Sequence, residues 1–350
     1  MIMIKSRNSS VELLRLLLML LVLITHADFK ALGLPSQDVI IESPYTSFIA
    51  YFIEAISVVA VNAFIFLSGW YGIRASRKKL FSLLFQIYFL QIIVYFIGIF
   101  FFDYQLDIYK NAIALLTIKN YWFLQSYLIL FFFAPILNTF LDFNDKVHTS
   151  KILLILLFIQ LVYGWLPFAN NFSWFDGGYS PYSFFLLYMI AGYVHRYVPY
   201  EKITSCRYFI YFMVLSLLIS AISYFGDKYA LPYMGGGCLM CYYSSPFVIL
   251  SSSFLCLSFL TVNMKSNFIN TLSKSALAVY VVHCHPCIWP KYLYAIKCWN
   301  ENCELNVFVY KTCALIFLLY CLSLFIDRIR IVAYNILGRL RINRVYGFVE

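Results

Sequence analysis

Val11-Glu12-Leu13-Leu14-Arg15-Leu16-Leu17-Leu18-Met19-Leu20-Leu21-Val22-Leu23-Ile24-Thr25-His26 is the stretch whose reading decides the fold. As a helix, it turns through roughly 1100° between Arg15 and His26, about three turns plus 20°. Both side chains then lie on one face, about 16 Å apart along the axis. Glu12, three residues before Arg15, joins that side. Ionisable groups inside a membrane span are costly and usually face a protein interior or a water-filled cavity. The stretch therefore predicts one wall of a site that runs into a bilayer.

The rest of the chain agrees with a membrane setting. Of its 350 residues, 63% are hydrophobic and only 12% charged, and the mean hydropathy is +0.79. A soluble domain is nearer half apolar and a quarter charged, and could not hide so much apolar surface. Runs of about twenty apolar residues match a hydrocarbon core of about 30 Å. Strands of a membrane barrel would alternate instead of running continuously apolar. The expected fold is an all-α integral membrane protein of about ten transmembrane helices, at 11–29, 47–71, 80–102, 122–141, 151–168, 180–198, 206–225, 243–263, 274–290 and 306–327.

Loops between these spans alternate in charge. Arg74, Arg77, Lys78 and Lys79 mark one set, with Lys5, Arg7, Arg196, Lys202 and the Arg328–Arg344 tail; Asp103, Asp107, Asp176, Glu301 and Glu304 mark the other. Positive loops stay inside, so both termini are expected in the cytoplasm, with the chain in the plasma or inner membrane. The net charge of +10 then belongs to topology and to anionic lipid of the bilayer, and no nucleic-acid partner is expected. The first span lacks a small-residue cleavage site and should remain as a structural helix. No soluble domain, linker or repeat interrupts the spans, so residues 1–345 read as a single membrane domain. The oligomeric state is not written in the sequence.

Several residues could carry chemistry. His26 has the near-neutral basicity to take a proton from a hydroxyl, or else it hydrogen-bonds a neighbouring helix. Arg15 either serves a site or snorkels to lipid phosphate. In the second span, Ser68, Gly69 and Gly72 permit close helix approach, and Asn62 in mid-span is a substrate contact or interhelical glue. Arg74, Arg77 and Lys78 follow, suited to the phosphates of a nucleotide-like donor or to anchoring at the cytoplasmic face. The fourth span carries Trp122, Gln125, Ser126 and Tyr127, then Ala134-Pro135-Ile136-Leu137-Asn138, where Pro135 removes a helix hydrogen bond. In the ninth, Tyr280 and His283 share a helix face.

Aromatics reach 20%, and many, such as Trp122 and Trp174, fall near span ends, where interfacial belts are expected; the alternative role for a few of them is to stack on sugar. Ten cysteines include Cys238-x-x-Cys241 and Cys284-x-x-Cys287. Such pairs hold zinc in soluble folds, but here they sit at span ends with no compact fold between them, so no metal is expected. External positions make disulfides possible, with Cys298 and Cys303 the best placed.

Four of these segments together resemble the membrane-bound acyltransferase-3 family. Val11-Glu12-Leu13-Leu14-Arg15 followed by His26 is similar to its first-helix motif, an arginine and a histidine with ten residues between. Phe64-Ile65-Phe66-Leu67-Ser68-Gly69 with trailing basic residues resembles its second-helix motif. Trp122-Phe123-Leu124, Tyr127, Pro135-Ile136-Leu137-Asn138 and Ser275 with Tyr280-Val281-Val282-His283 resemble looser later ones. The likeness spans nearly the whole chain and includes the ten-helix count.

The resemblance implies transfer of an acyl group, usually acetyl, from cytoplasmic acyl-CoA to a carbohydrate hydroxyl, the acceptor being a cell-surface or capsular polysaccharide or its lipid-linked precursor. It implies catalytic roles for His26, Arg15 and Glu12, the last standing where the family often has aspartate. Donor contacts fall on Arg74, Arg77, Lys78 and Ser68, and substrate contacts on Asn62, Tyr127, Tyr280 and His283. Acetyl-CoA enters as the donor substrate, and His26 acts as base or as a brief acyl carrier. A different class of function, a carrier or flippase for a polysaccharide precursor, also uses intramembrane arginine and histidine, although no paired broken helices or repeats mark the two halves.

Overall fold

A computed structural model describes residues 8–105, 107–166, 175–231 and 239–346, with side chains to residue 336 apart from that of residue 176. Among them the chain is helical, with no strand. The α-helices in chain order are α1 (Ser9–Thr25), α2 (Gln37–Glu42), α3 (Pro44–Ser57), α4 (Val59–Tyr71), α5 (Arg77–Phe102), α6 (Ile108–Thr117), α7 (Trp122–Phe143), α8 (Lys146–Gly164), α9 (Pro181–Tyr197), α10 (Ser205–Lys228), α11 (Pro246–Leu260), α12 (Asn267–Leu272), α13 (Ala276–His283), α14 (Trp289–Asn302) and α15 (Leu305–Tyr346).

Among the described residues, seven helical runs are long and apolar enough to cross a bilayer: 9–30, 44–71, 77–102, 108–143, 146–164, 205–228 and 305–336. Their lipid-compatible surface is explicit in side chains such as Phe101, Phe132, Phe158 and Phe317, large apolar groups left exposed. The protein is thus a multi-pass, all-helical membrane protein. The other expected spans, 180–198, 243–263 and 274–290, correspond to shorter helices. Pro181 and Pro246 begin α9 and α11, where a missing N–H matters little. The ninth segment is not one helix: α13 stops at His283, and a turn carries the chain through Pro286 to α14.

Local sequence explains most helix ends. The side chains of Asn8, Ser76, Asp107, Asp145, Ser180 and Thr204 each accept from a backbone N–H in the first turn of the helix they precede. The chain divides into two compact units, one of residues 1–75 and 121–270, the other of residues 76–120 and 271–350. In the first, α1 packs on α3, α4 and α11, while α4 also meets α9, and α10 meets α3 and α11. Gly69 makes the α4–α9 contact possible. A Cβ there would run into the Tyr188 carbonyl oxygen, so only glycine permits this backbone approach. In the second unit, α13 packs on α5 and α15, and α14 on α15.

Candidate functional site

α1 runs from Ser9 to Thr25 and passes directly into a π-type turn that begins at His26, so Glu12, Arg15 and His26 are carried on one helical run. Glu12 is buried, and both of its oxygens accept from Arg15 Nη1, at 3.0 and 3.2 Å. Held by a carboxylate of its own helix, the Arg15 side chain keeps 32% of its area exposed, and its charge remains open to a partner.

Two tyrosines complete this end of the helix. Tyr127 on α7 hydrogen-bonds Ser68 on α4 and lies within reach of the Arg15 charge. Tyr71, near the end of α4, feels both Arg15 and Glu12. Ser68 also donates to the Phe64 carbonyl one turn back, at 2.9 Å. The stack of Phe123 on Tyr127, with centroids 5.9 Å apart, and the edge contact of Phe64 with Phe123 fix the ring that bears the Tyr127 hydroxyl. Glu12, Arg15, Ser68 and Tyr127 thus converge on one place in the first unit.

His26, half-buried, stands where α1 changes character. From His26 to Lys30 the helix widens into a single π-type turn. Such turns occur mostly as isolated features, frequently at functional sites. Asp28 therefore belongs to the helical run. Asn62 lies apart from the arginine cluster. Its amide nitrogen donates to the Tyr243 carbonyl at 2.9 Å, which is the glue reading, while its Oδ1 has no hydrogen-bond partner among the described residues.

The basic residues after α4 are reached through a turn that sequence reasoning missed. Gly72 has φ +69°, a left-handed value that favours glycine. The backbone N–H of Ile73 donates to the Tyr188 hydroxyl, at 2.7 Å. That hydroxyl donates to Asn138 Oδ1, also at 2.7 Å, and Asn138 Nδ2 returns a bond to the Ile73 carbonyl at 3.0 Å. Asn138 had a visible signal in its motif; Tyr188 had none, because its partner is a backbone group distant in sequence. Arg74 follows this turn in the first unit, and Arg77 and Lys78 open α5 in the second; all three are exposed.

Tyr280 and His283 do share a face of α13, with rings 5.9 Å apart and edge-on. His283 is fully buried and internally satisfied. Nδ1 donates to the Val279 carbonyl at 2.6 Å, leaving Nε2 to accept from the Cys284 thiol at 3.3 Å. Trp289 and Tyr292 close around the same ring.

Cysteine pairing differs from expectation. Cys298 and Cys303 are both free, as are Cys284 and Cys287, whereas Cys241 is disulfide-bonded and so offers no thiolate to a metal. Cys238 and Trp174 lie outside the described residues.

With this geometry in view, comparison with known proteins adds one finding. A family model, acyltransferase family 3, described as an acyltransferase domain, matches residues 8–328, nearly the whole chain and parts of both units. Neither the curated proteins nor the solved structures provide a match.

Proposed function

The chain belongs to the acyltransferase-3 family of membrane proteins, and on that premise we propose that it is a ten-span O-acyltransferase with both termini in the cytoplasm. It moves an acetyl group from cytoplasmic acetyl-CoA to a hydroxyl of a surface or capsular polysaccharide, or of its lipid-linked precursor, in the cell membrane. Residues 1–345 act as one domain, a reading supported by the family match, which includes parts of both units.

The observation that carries the proposal is the Glu12–Arg15 ion pair on the same helical run as His26. Glu12 fixes the guanidinium and Tyr127 faces it, so a positive charge is preorganised for the thioester end of the donor. Ser68 holds the Tyr127 hydroxyl in place. Arg74, Arg77 and Lys78 meet the phosphates of the coenzyme, for which guanidinium forks are well shaped. His26 takes the proton of the acceptor hydroxyl as its oxygen attacks the thioester carbonyl. The C–S bond then breaks, and the departing thiolate recovers that proton from the imidazolium. Asn62 serves the substrate side through its Oδ1, and Tyr280 and His283, the latter already satisfied within its own segment, serve it by shape. No metal enters this scheme.

The test uses full-length protein in lipid and two readouts: free thiol released from acetyl-CoA, and acetyl gained by surface glycans, an increment of about 42 Da for each acetyl transferred. Wild-type protein gives both, and His26→Ala gives neither while inserting normally. Glycan export that depends on the protein, with no thiol released, would instead establish a carrier.

A further inference from the structure

Sequence reasoning passed over Glu54, a carboxyl in the middle of the second apolar run. It sits on α3, is 2% exposed, and its Oε2 has no hydrogen-bond partner among the described residues. A buried carboxyl oxygen left unpaired is expensive, and a membrane protein retains one where something else completes it. The charges of Asp28 and Lys30 both bear on this group. Both come from the π-type turn that begins at His26.

Lys30 connects the carboxyls to an aromatic wall. Its Nζ lies 5.9 Å above the Tyr179 ring. Tyr179 stands 4.5 Å from Trp122 and 4.8 Å from Tyr243, centroid to centroid, and Trp122 stacks on Tyr243 at 5.7 Å. Lys30 is exposed and Trp122 and Tyr179 are half-buried, so the cluster opens outward at one end and closes on Glu54 at the other.

We propose that Asp28, Lys30 and Glu54, backed by Tyr179 and Trp122, form the subsite that holds the acceptor as a pyranose ring. The inference rests on the acyltransferase reading and adds to it where the sugar lies. A pyranose has two chemically different surfaces. Its C–H face suits the flat side of an aromatic ring, and its vicinal hydroxyls suit carboxyl oxygens, each of which holds two hydrogen-bond positions. An ammonium group supplies donors for ring and hydroxyl oxygens. The unpaired Glu54 oxygen receives a sugar hydroxyl, while the turn that presents Asp28 and Lys30 also presents His26. Recognition and proton removal thereby share one helix end, the turn of residues 26–30.

Saturation-transfer NMR tests this with full-length protein in lipid nanodiscs. The probes are methyl β-D-glucopyranoside, methyl β-D-galactopyranoside and choline chloride, the last a cation without a sugar ring. Wild-type protein transfers saturation to at least one glycoside. Glu54→Gln and Tyr179→Ala each weaken that signal about tenfold, the loss expected for one hydrogen bond or one stacking face. Asp28→Asn carries the carboxyl arm should Glu54→Gln fail to fold. Saturation of choline alone, or glycoside signals unchanged in every variant, would overturn the subsite. Protein that releases thiol from acetyl-CoA but contacts neither glycoside keeps acyl transfer and removes the subsite. Glycoside contact without thiol release does the reverse.

Discussion

At the scale of residues, the decisive feature is that an arginine in an apolar helix has its counterion three positions away. Glu12 neutralises Arg15 locally, so no second helix has to supply a carboxylate. Glu12→Gln should leave the helix in place and free the guanidinium to move. Thiol release is expected to fall about tenfold, in keeping with the loss of one well-positioned charge contact, with insertion and yield unchanged. Unaltered turnover in this variant would separate the ion pair from the chemistry. Arg15→Lys is predicted to be damaging as well, because an ammonium cannot reproduce the guanidinium fork. Sequence made this pair legible because both members lie on one short helical period. It did not reveal Tyr188, whose hydroxyl is defined by a bond to the backbone of Ile73, 115 positions away. Glu54 was legible in principle, as an acid within an apolar run, but nothing local indicated what surrounds it.

At the scale of elements, the α4–α9 contact decides how the chain leaves α4 at Gly72. Gly69 lies against the backbone of Tyr188, so Gly69→Val must push the helices apart. Overpacking of this kind costs about 1–3 kcal/mol, and the thermal midpoint of the purified protein should drop accordingly. A midpoint equal to wild type would mean that the helices are not so closely apposed. Past that contact, Tyr188→Phe and Asn138→Ala remove parts of one three-membered network. Their destabilisations are therefore expected to be non-additive, with a coupling of about 1 kcal/mol in a double-mutant cycle. Additive effects would show that the two side chains act separately. The same scale shows where sequence periodicity ran out. Continuous hydropathy placed a span at 274–290, yet α13 ends at His283 because Cys284–Ile288, including Pro286, form a turn. Hydropathy registers apolar content and is blind to such a break.

At the scale of the whole molecule, composition alone established the class, since 12% charge cannot clothe a soluble chain of 350 residues. Seven long apolar helical runs and a family match over residues 8–328 agree with it. The orientation rests on loop charge, and it predicts a cytoplasmic location for both ends. Reporter fusions after residue 8 and after residue 346 should behave as cytoplasmic, and one placed near residue 35 as external; opposite behaviour at residue 35 would invert the donor and acceptor sides. The central claim is that His26 moves the proton in acyl transfer. The most direct measurement is thiol release from acetyl-CoA, together with glycan acetylation, by wild-type and His26→Ala protein inserted to equal levels. The account predicts that both signals vanish in the variant; acetylation at the wild-type rate would contradict it.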